Sequence, residues 1–193
     1  MYKLCKTEES ATRQRGIEKK LLSLMTTKDF EDITVSELCL EMNMPRKAFY
    51  RYFDSKEDAL HALIQHTMAE FESFNEIYTA EGKRNLQSDL EQFFKFWLSR
   101  RDFLDTLKKN NLSSILVQHA VSFSEKEMTM LNRFLPGEPE WLQRQIIKFA
   151  ISGLMTAMIE WHDSGCKENT ELMAQAMCRM FSRPLFPGLT SAK

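Results

Sequence analysis

The run ITVSELCLEMNMPRKAF, residues 33–49, constrains this chain more than any other stretch. Thr34 precedes Glu37 by three, the spacing of a capping box, and Ile33 and Leu38 fall at the staple positions around it. A helix therefore starts at Thr34 and runs about to Met42, with Leu38 and Met42 on one face. Asn43 suits a left-handed turn residue, because Asn tolerates positive φ better than most non-glycines. Pro45 suits the first turn of a further helix, where its missing N–H costs nothing. That helix runs roughly from Pro45 to Tyr52. Two short helices across so tight a turn make a helix-turn-helix unit.

The rest of the chain also reads as helix. Glycine and proline are scarce, at 6 and 5 of 193 residues, which leaves few breaks and disfavours a sheet-rich fold. Ile17, Leu21, Leu24 and Met25 recur at helical spacing within 13–27, and Asp29 and Phe30 end that helix. Ser55, with Asp58 three later, caps a long helix reaching about Ala80, closed by AEGKRN. Residues 85–100 carry Leu86, Leu90, Phe93 and Trp97 on one face. Two or three helices fill 101–134, and LPGEP, 135–139, is a loop. In a helix from Glu140 to His162 the polar residues Lys148, Ser152, Thr156 and Glu160 form one narrow stripe. A helix apolar around most of its girth is buried on more than one side. Gly165 stops it, and the last helix, about 169–182, has a wide apolar face of Leu172, Met173, Ala176, Met177, Met180 and Phe181. Pro184 and Pro187 end regular structure. The fold class expected is all-α, in two parts: a head over 1–56 and a helical body over 57–193.

The head has a positive bias. Residues 1–56 hold eleven Lys/Arg against nine Asp/Glu, whereas the whole chain has a formal net charge of -1. Within the second helix of the unit, Ala48, Phe49 and Phe53 form the inward set, leaving Arg46, Lys47, Tyr50 and Arg51 outward. Arginine can fork onto guanine O6 and N7, and Lys and Tyr can hold phosphates. Only the contact face need be positive for this, so the overall charge is no obstacle. Residue types alone equally allow an exposed helix with snorkelling basic side chains.

Other chemistries find no pattern. There is no G-x-G-x-x-G, P-loop, HExxH or nucleophile–base arrangement, so neither an enzyme nor a cofactor is expected. Cys5, Cys39, Cys166 and Cys178 lack C-x-x-C spacing, and His61, His66, His119 and His162 lack ligand spacing, so no metal is expected. In EWHD, 160–163, helical neighbours should point apart. No signal peptide or uncharged membrane-length segment is present, and a cytoplasmic location is expected.

Residues 12–64 resemble, without gaps, the N-terminal domain of the TetR family of bacterial transcription regulators. Asn43-Met44-Pro45 stands at the family's Gly-Val-Ser turn, and FYRYFDSKEDAL, 49–60, matches its Tyr-x-x-Phe and Ser/Asn-Lys-Glu. Ile17, Phe30, Thr34, Val35 and Leu38 also fall in place. The resemblance implies that Arg46, Lys47, Ala48 and Arg51 face base edges or nearby phosphates. It implies that Thr34, Tyr50, Tyr52 and Lys56 grip phosphate. Three departures matter: Asp29 and Asn43 replace family glycines, both still compatible with positive φ, and Lys47-Ala48 replaces the usual Gly-Thr.

The resemblance further implies a homodimer through about 140–163 and 169–182, bound to a pseudo-palindromic operator in double-stranded DNA. It implies a helical body that takes a small effector, with the helix after Ser55 as the lever. IEWHDSG, before the last helix, loosely resembles the ending of one TetR subgroup. An apolar pocket could draw on Phe71, Phe74, Phe93, Phe94, Phe96, Trp97, Phe103, Met155 and Met158, with Ser152, Thr156 and Glu160 as polar contacts. The same residues equally make a packed core, and that would fit a regulator controlled by a protein partner with no small ligand.

Overall fold

The structure is a computed structural model. It describes residues 7–79, 85–126 and 137–182, with the side chains of 75–79 and 123–126 left out. Cys5, most of the AEGKRN turn, Leu135, Pro136, Pro184 and Pro187 lie outside the described residues. Among the described residues every regular element is helical: α1 Glu8–Met25, a 3-10 turn Phe30–Asp32, α2 Val35–Glu41, α3 Arg46–Phe49, α4 Lys56–Thr79, α5 Leu86–Ser99, α6 Arg101–Lys109, α7 Ser113–Lys126, α8 Glu140–Asp163 and α9 Thr170–Ser182. The all-α expectation is met.

The chain divides into two compact units. The first comprises residues 1–70 and 105–112, and the second 71–104 and 113–193. In the first, Ile17, Leu21 and Met25 of α1 are fully buried, as are Leu38, Phe49, Phe53, Ile64 and Leu107, with Ile33 and Phe30 nearly so. Each fully buried residue of this size stabilises the head by roughly 1.5–3 kcal/mol relative to exposure. Helix α1 starts five residues before the sequence expectation, because Thr7 caps it and accepts from the Ser10 N–H at 3.2 Å.

Helix α2 starts where its cap requires. The Thr34 hydroxyl accepts from the Glu37 N–H at 3.1 Å. The Glu37 carboxylate is engaged by Lys28 Nζ at 2.8 and 3.0 Å, which pulls its pKa down. Asn43 has φ 49°, with Asn43 N–H on Leu40 O and Met44 N–H on Cys39 O, a Schellman end that satisfies two orphan carbonyls. Asp29 behaves otherwise: its φ is -69°, so it is extended and the glycine replacement there needs no left-handed backbone. Its backbone instead leads into the 3-10 turn.

The second unit centres on α5. Phe94 and Trp97 are fully buried or nearly so, and Leu90, Phe93 and Phe96 are buried with them. Helix α5 packs on α9 and α8, and α7 packs on α8. Leu86, expected inward, is 45% exposed, because it occupies the first turn, beside the Asn85/Ser88 capping box. Helix α8 ends at Gly165, φ 91°, in another Schellman turn, and Trp161 Nε1 donates to Glu168 O across it at 2.9 Å. That bond gives the Trp-and-Gly ending a structural job.

Candidate nucleic-acid interface

Helix α3 is shorter than the sequence suggested. Residues 46–49 are α-helical, and the backbone then tightens: Arg51 N–H bonds Ala48 O and Tyr52 N–H bonds Phe49 O. The Phe49 and Phe53 rings, four residues apart and 5.7 Å between centres, share the inner face, and both are 0% exposed. The same winding leaves Arg46, Lys47, Tyr50 and Arg51 exposed, with Ala48 and Tyr52 half-buried. The outward and inward sets expected from the sequence are thus placed as expected, apart from Ala48, which is only partly covered.

Arg46 is pre-positioned. Its Nη2 donates to the Tyr50 hydroxyl at 3.1 Å, and its guanidinium carbon lies 5.9 Å from the Tyr50 ring centre. The hydroxyl favours the charged guanidinium. One edge of the fork is thereby steadied while the rest remains exposed. Thr34 is exposed at the α2 N-terminus. Lys56 sits elsewhere: its Nζ donates to Phe30 O at 2.7 Å and Glu31 O at 2.8 Å, 4.6 Å over the Phe30 ring. Two of its three donors hold the 3-10 turn.

Helix α4 starts as the sequence indicated, with Asp58 N–H on Ser55 Oγ at 3.2 Å. The Asp58 carboxylate returns to the Asp54 N–H at 3.3 Å. Sequence reading missed two polar side chains that hold this head together. Glu18 is buried, with His66 at its carboxylate, and Asn110 bonds Phe30 N–H from eighty residues away. Glu18 lies on the apolar stripe of α1, one place after Ile17, and that misplaced charge was its only sequence signal. Asn110 had none.

The residues proposed from sequence for a pocket all lie in the second unit, and several of their rings meet. Phe71 stands edge-on to Phe93 at 5.7 Å, Trp97 is stacked with Phe103 at 6.5 Å, and Phe94 meets Trp161 edge-on at 5.3 Å. Met155 and Met158 are buried too. Trp97 is 1% exposed and its Nε1 has no hydrogen-bond partner among the described residues. Thr156 and Glu160 are exposed, and Thr156 donates to Ser152 O at 2.8 Å. His162 Nδ1 lies 3.3 Å from Asp163 Oδ1, so these neighbours turn toward one another at the helix end rather than apart. Among the described residues no group of three His, Cys, Asp or Glu is placed to hold a metal. No helix among them is long and apolar enough to cross a membrane.

A basic helix-turn-helix head followed by an all-helical body defines the architecture of a helix-turn-helix regulator. Residues 19–63 match the family described as bacterial regulatory proteins, tetR family. No curated protein matches the sequence. Solved structures share the fold along nearly the whole chain. A TetR-family transcriptional regulator from Syntrophomonas wolfei has a TM-score of 0.63 at 13% identity, covering 89% of this chain and 94% of that one. The fatty acid degradation regulator FadR from Bacillus halodurans has a TM-score of 0.59 at 15% identity, covering 94% and 98%. The dihydroxyacetone kinase operon activator DhaS has a TM-score of 0.56 at 16% identity, covering 88% and 93%. At these identities the likeness concerns the fold.

Proposed function

We propose that this chain is a sequence-specific DNA-binding transcription regulator, not an enzyme, acting in the cytoplasm as a homodimeric repressor on a pseudo-palindromic operator. The observation that carries the reading is the division of one turn of chain. Phe49 and Phe53 are wholly buried while Arg46, Lys47, Tyr50 and Arg51 stand outward, with Arg46 steadied on Tyr50. Arg46, Lys47, Ala48 and Arg51 meet base edges and nearby phosphates, and Thr34, Tyr50, Tyr52 and the remaining donor of Lys56 meet the backbone. DNA contact belongs to 1–56, and effector and dimer functions to 57–193.

Dimerisation runs through α8 and α9. Trp141 and Phe149 are 66% and 67% exposed on α8, and Leu172 and Met180 about half exposed on α9. Two heads joined this way present two recognition helices to successive major-groove faces, roughly 34–36 Å apart.

Release comes from a small apolar or amphipathic effector held among Phe71, Phe93, Phe94, Trp97, Phe103, Met155 and Met158. A buried N–H without an acceptor among the described residues calls for an explanation, and an effector oxygen at Trp97 Nε1 supplies one. The effector shifts the population away from the DNA-competent spacing, with α4 as the lever. The near-complete burial of Phe94, Trp97 and Met158 favours a second reading, control by a protein partner with no small ligand.

The test is binding of the purified chain to the DNA upstream of its own gene, across a salt series with unrelated competitor DNA. Tight, competitor-resistant binding supports the reading, and its salt slope counts the phosphates held. Absence of binding even at low salt refutes it.

A further inference from the structure

We propose that Asn110, at the end of α6, is a positioning residue of the DNA-reading head, and that residues 105–112 complete that head. The inference rests on the DNA-binding reading of 34–56 and adds a part of the chain that the reading left in the body.

The Asn110 side chain is fully used. Its Oδ1 accepts from the Phe30 N–H at 2.6 Å, and its Nδ2 donates to Met25 O at 3.2 Å and to Thr106 O at 2.8 Å. One amide thus joins the last residue of α1, the first residue of the 3-10 turn and its own helix. Lys109 adds a bond from Nζ to Thr26 O at 2.8 Å. The α6 end is itself rigid: Asn111 has φ 58°, Leu112 N–H bonds Leu107 O at 2.8 Å, and Leu107 is fully buried. This Schellman turn fixes where the Asn110 amide points.

The Phe30 peptide is held from both ends. Asn110 takes its N–H, and Lys56 takes its C=O at 2.7 Å while its ring is buried. Three residues on, Ile33 enters the core and Thr34 caps α2. A shift of the Phe30 peptide therefore moves the start of α2, and with it the turn into α3. The connection between α1 and α2 has no other long-range side-chain tie to its N–H groups among the described residues. Loss of the amide leaves the part-buried Phe30 N–H and the Met25 carbonyl to find water, while Thr106 O keeps the Asn110 backbone N–H.

The test compares wild-type chain with Asn110→Ala and, as a milder loosening of the same joint, Lys109→Ala. Amide hydrogen exchange at Phe30 is read without DNA, and DNA affinity is read well below the melting temperature, where the folded fraction is near unity. Exchange at Phe30 should rise at least about tenfold in Asn110→Ala, with α9 unaffected, and affinity should fall about tenfold. The salt slope should stay unchanged, because no phosphate contact is removed. A merely structural residue would lower the melting temperature and leave the affinity of the folded protein intact, and that result overturns the proposal. So does unchanged exchange at Phe30. If Asn110→Ala does not fold, Lys109→Ala decides on the same two readouts. If wild-type itself binds no DNA, the reading of 34–56 fails, while Phe30 exchange still decides whether Asn110 holds the turn.

Discussion

His66 Nδ1 lies 2.8 and 2.9 Å from the two carboxylate oxygens of Glu18, joining α4 to α1 inside the head. Glu18 is 1% exposed, and burial pushes its carboxyl from 4.5 up to about 7. Arg15, 3.6 Å away, works against this rise, and Glu70 adds to it. A carboxyl whose folded pKa is raised binds its proton more tightly folded than unfolded. Its contribution to stability is complete below about pH 4.5 and is lost as pH rises through about 7. Glu18→Gln keeps an acceptor for His66 but cannot ionise. Urea unfolding of both proteins from pH 5 to 8 should show wild-type losing roughly 2–3 kcal/mol relative to Glu18→Gln. Parallel curves would rule the effect out.

Arg51 and Phe49 leave the same turn on opposite sides, and their alanine variants should separate accordingly. Arg51→Ala should stay within about 0.5 kcal/mol of wild-type stability. It should weaken DNA binding and lower the salt slope by about one if a phosphate is lost. Phe49→Ala should cost the head about 3–5 kcal/mol, because the ring is completely buried. The reverse pattern in denaturation and binding would overturn the assignment of faces.

Asn43 holds a left-handed backbone, φ 49°, between α2 and α3. Asn43→Gly should be near neutral or mildly stabilising there. Asn43→Val should cost about 1–2 kcal/mol, because a β-branched side chain crowds the following carbonyl. Chemical denaturation of both variants measures the difference, and equal stabilities would contradict the turn geometry.

Phe149 is 67% exposed on α8, on one exposed face with Gly153 and Thr156. If this face pairs with a second copy, Phe149→Asp should shift the protein from dimer to monomer in sedimentation velocity, with helix content unchanged. A wild-type monomer, or a variant that stays dimeric, would remove α8 from the interface.

Much of the head could be read in advance because its determinants are local. A cap needs a hydroxyl three residues from an N–H, as at Thr34, and a helix end needs one residue that accepts positive φ, as at Asn43. Periodicity along one helix was enough to separate Phe49 from Arg51. The resemblance over 12–64 carried the proposed DNA contacts, which no periodicity could have assigned. Where helical winding depends on distant packing, sequence reading went astray. α3 gives way to tighter turns after Phe49, which the spacing of its aromatics does not reveal, and Leu86 stays half outside because α5 has only begun there.

By itself, the sequence determined an all-helical chain, a helix-turn-helix between Thr34 and Phe53, and the outward placing of its basic residues. These follow from bonds and side-chain directions within a few residues. Tertiary structure alone decided that Glu18 would be buried against His66, that Lys56 would hold carbonyls of the 3-10 turn, and that Asn110 would reach Phe30 across eighty residues. Partners so far apart in the chain leave no mark in local spacing. They are chosen only when folding brings unpaired N–H and C=O groups together and makes each of them costly to leave unsatisfied.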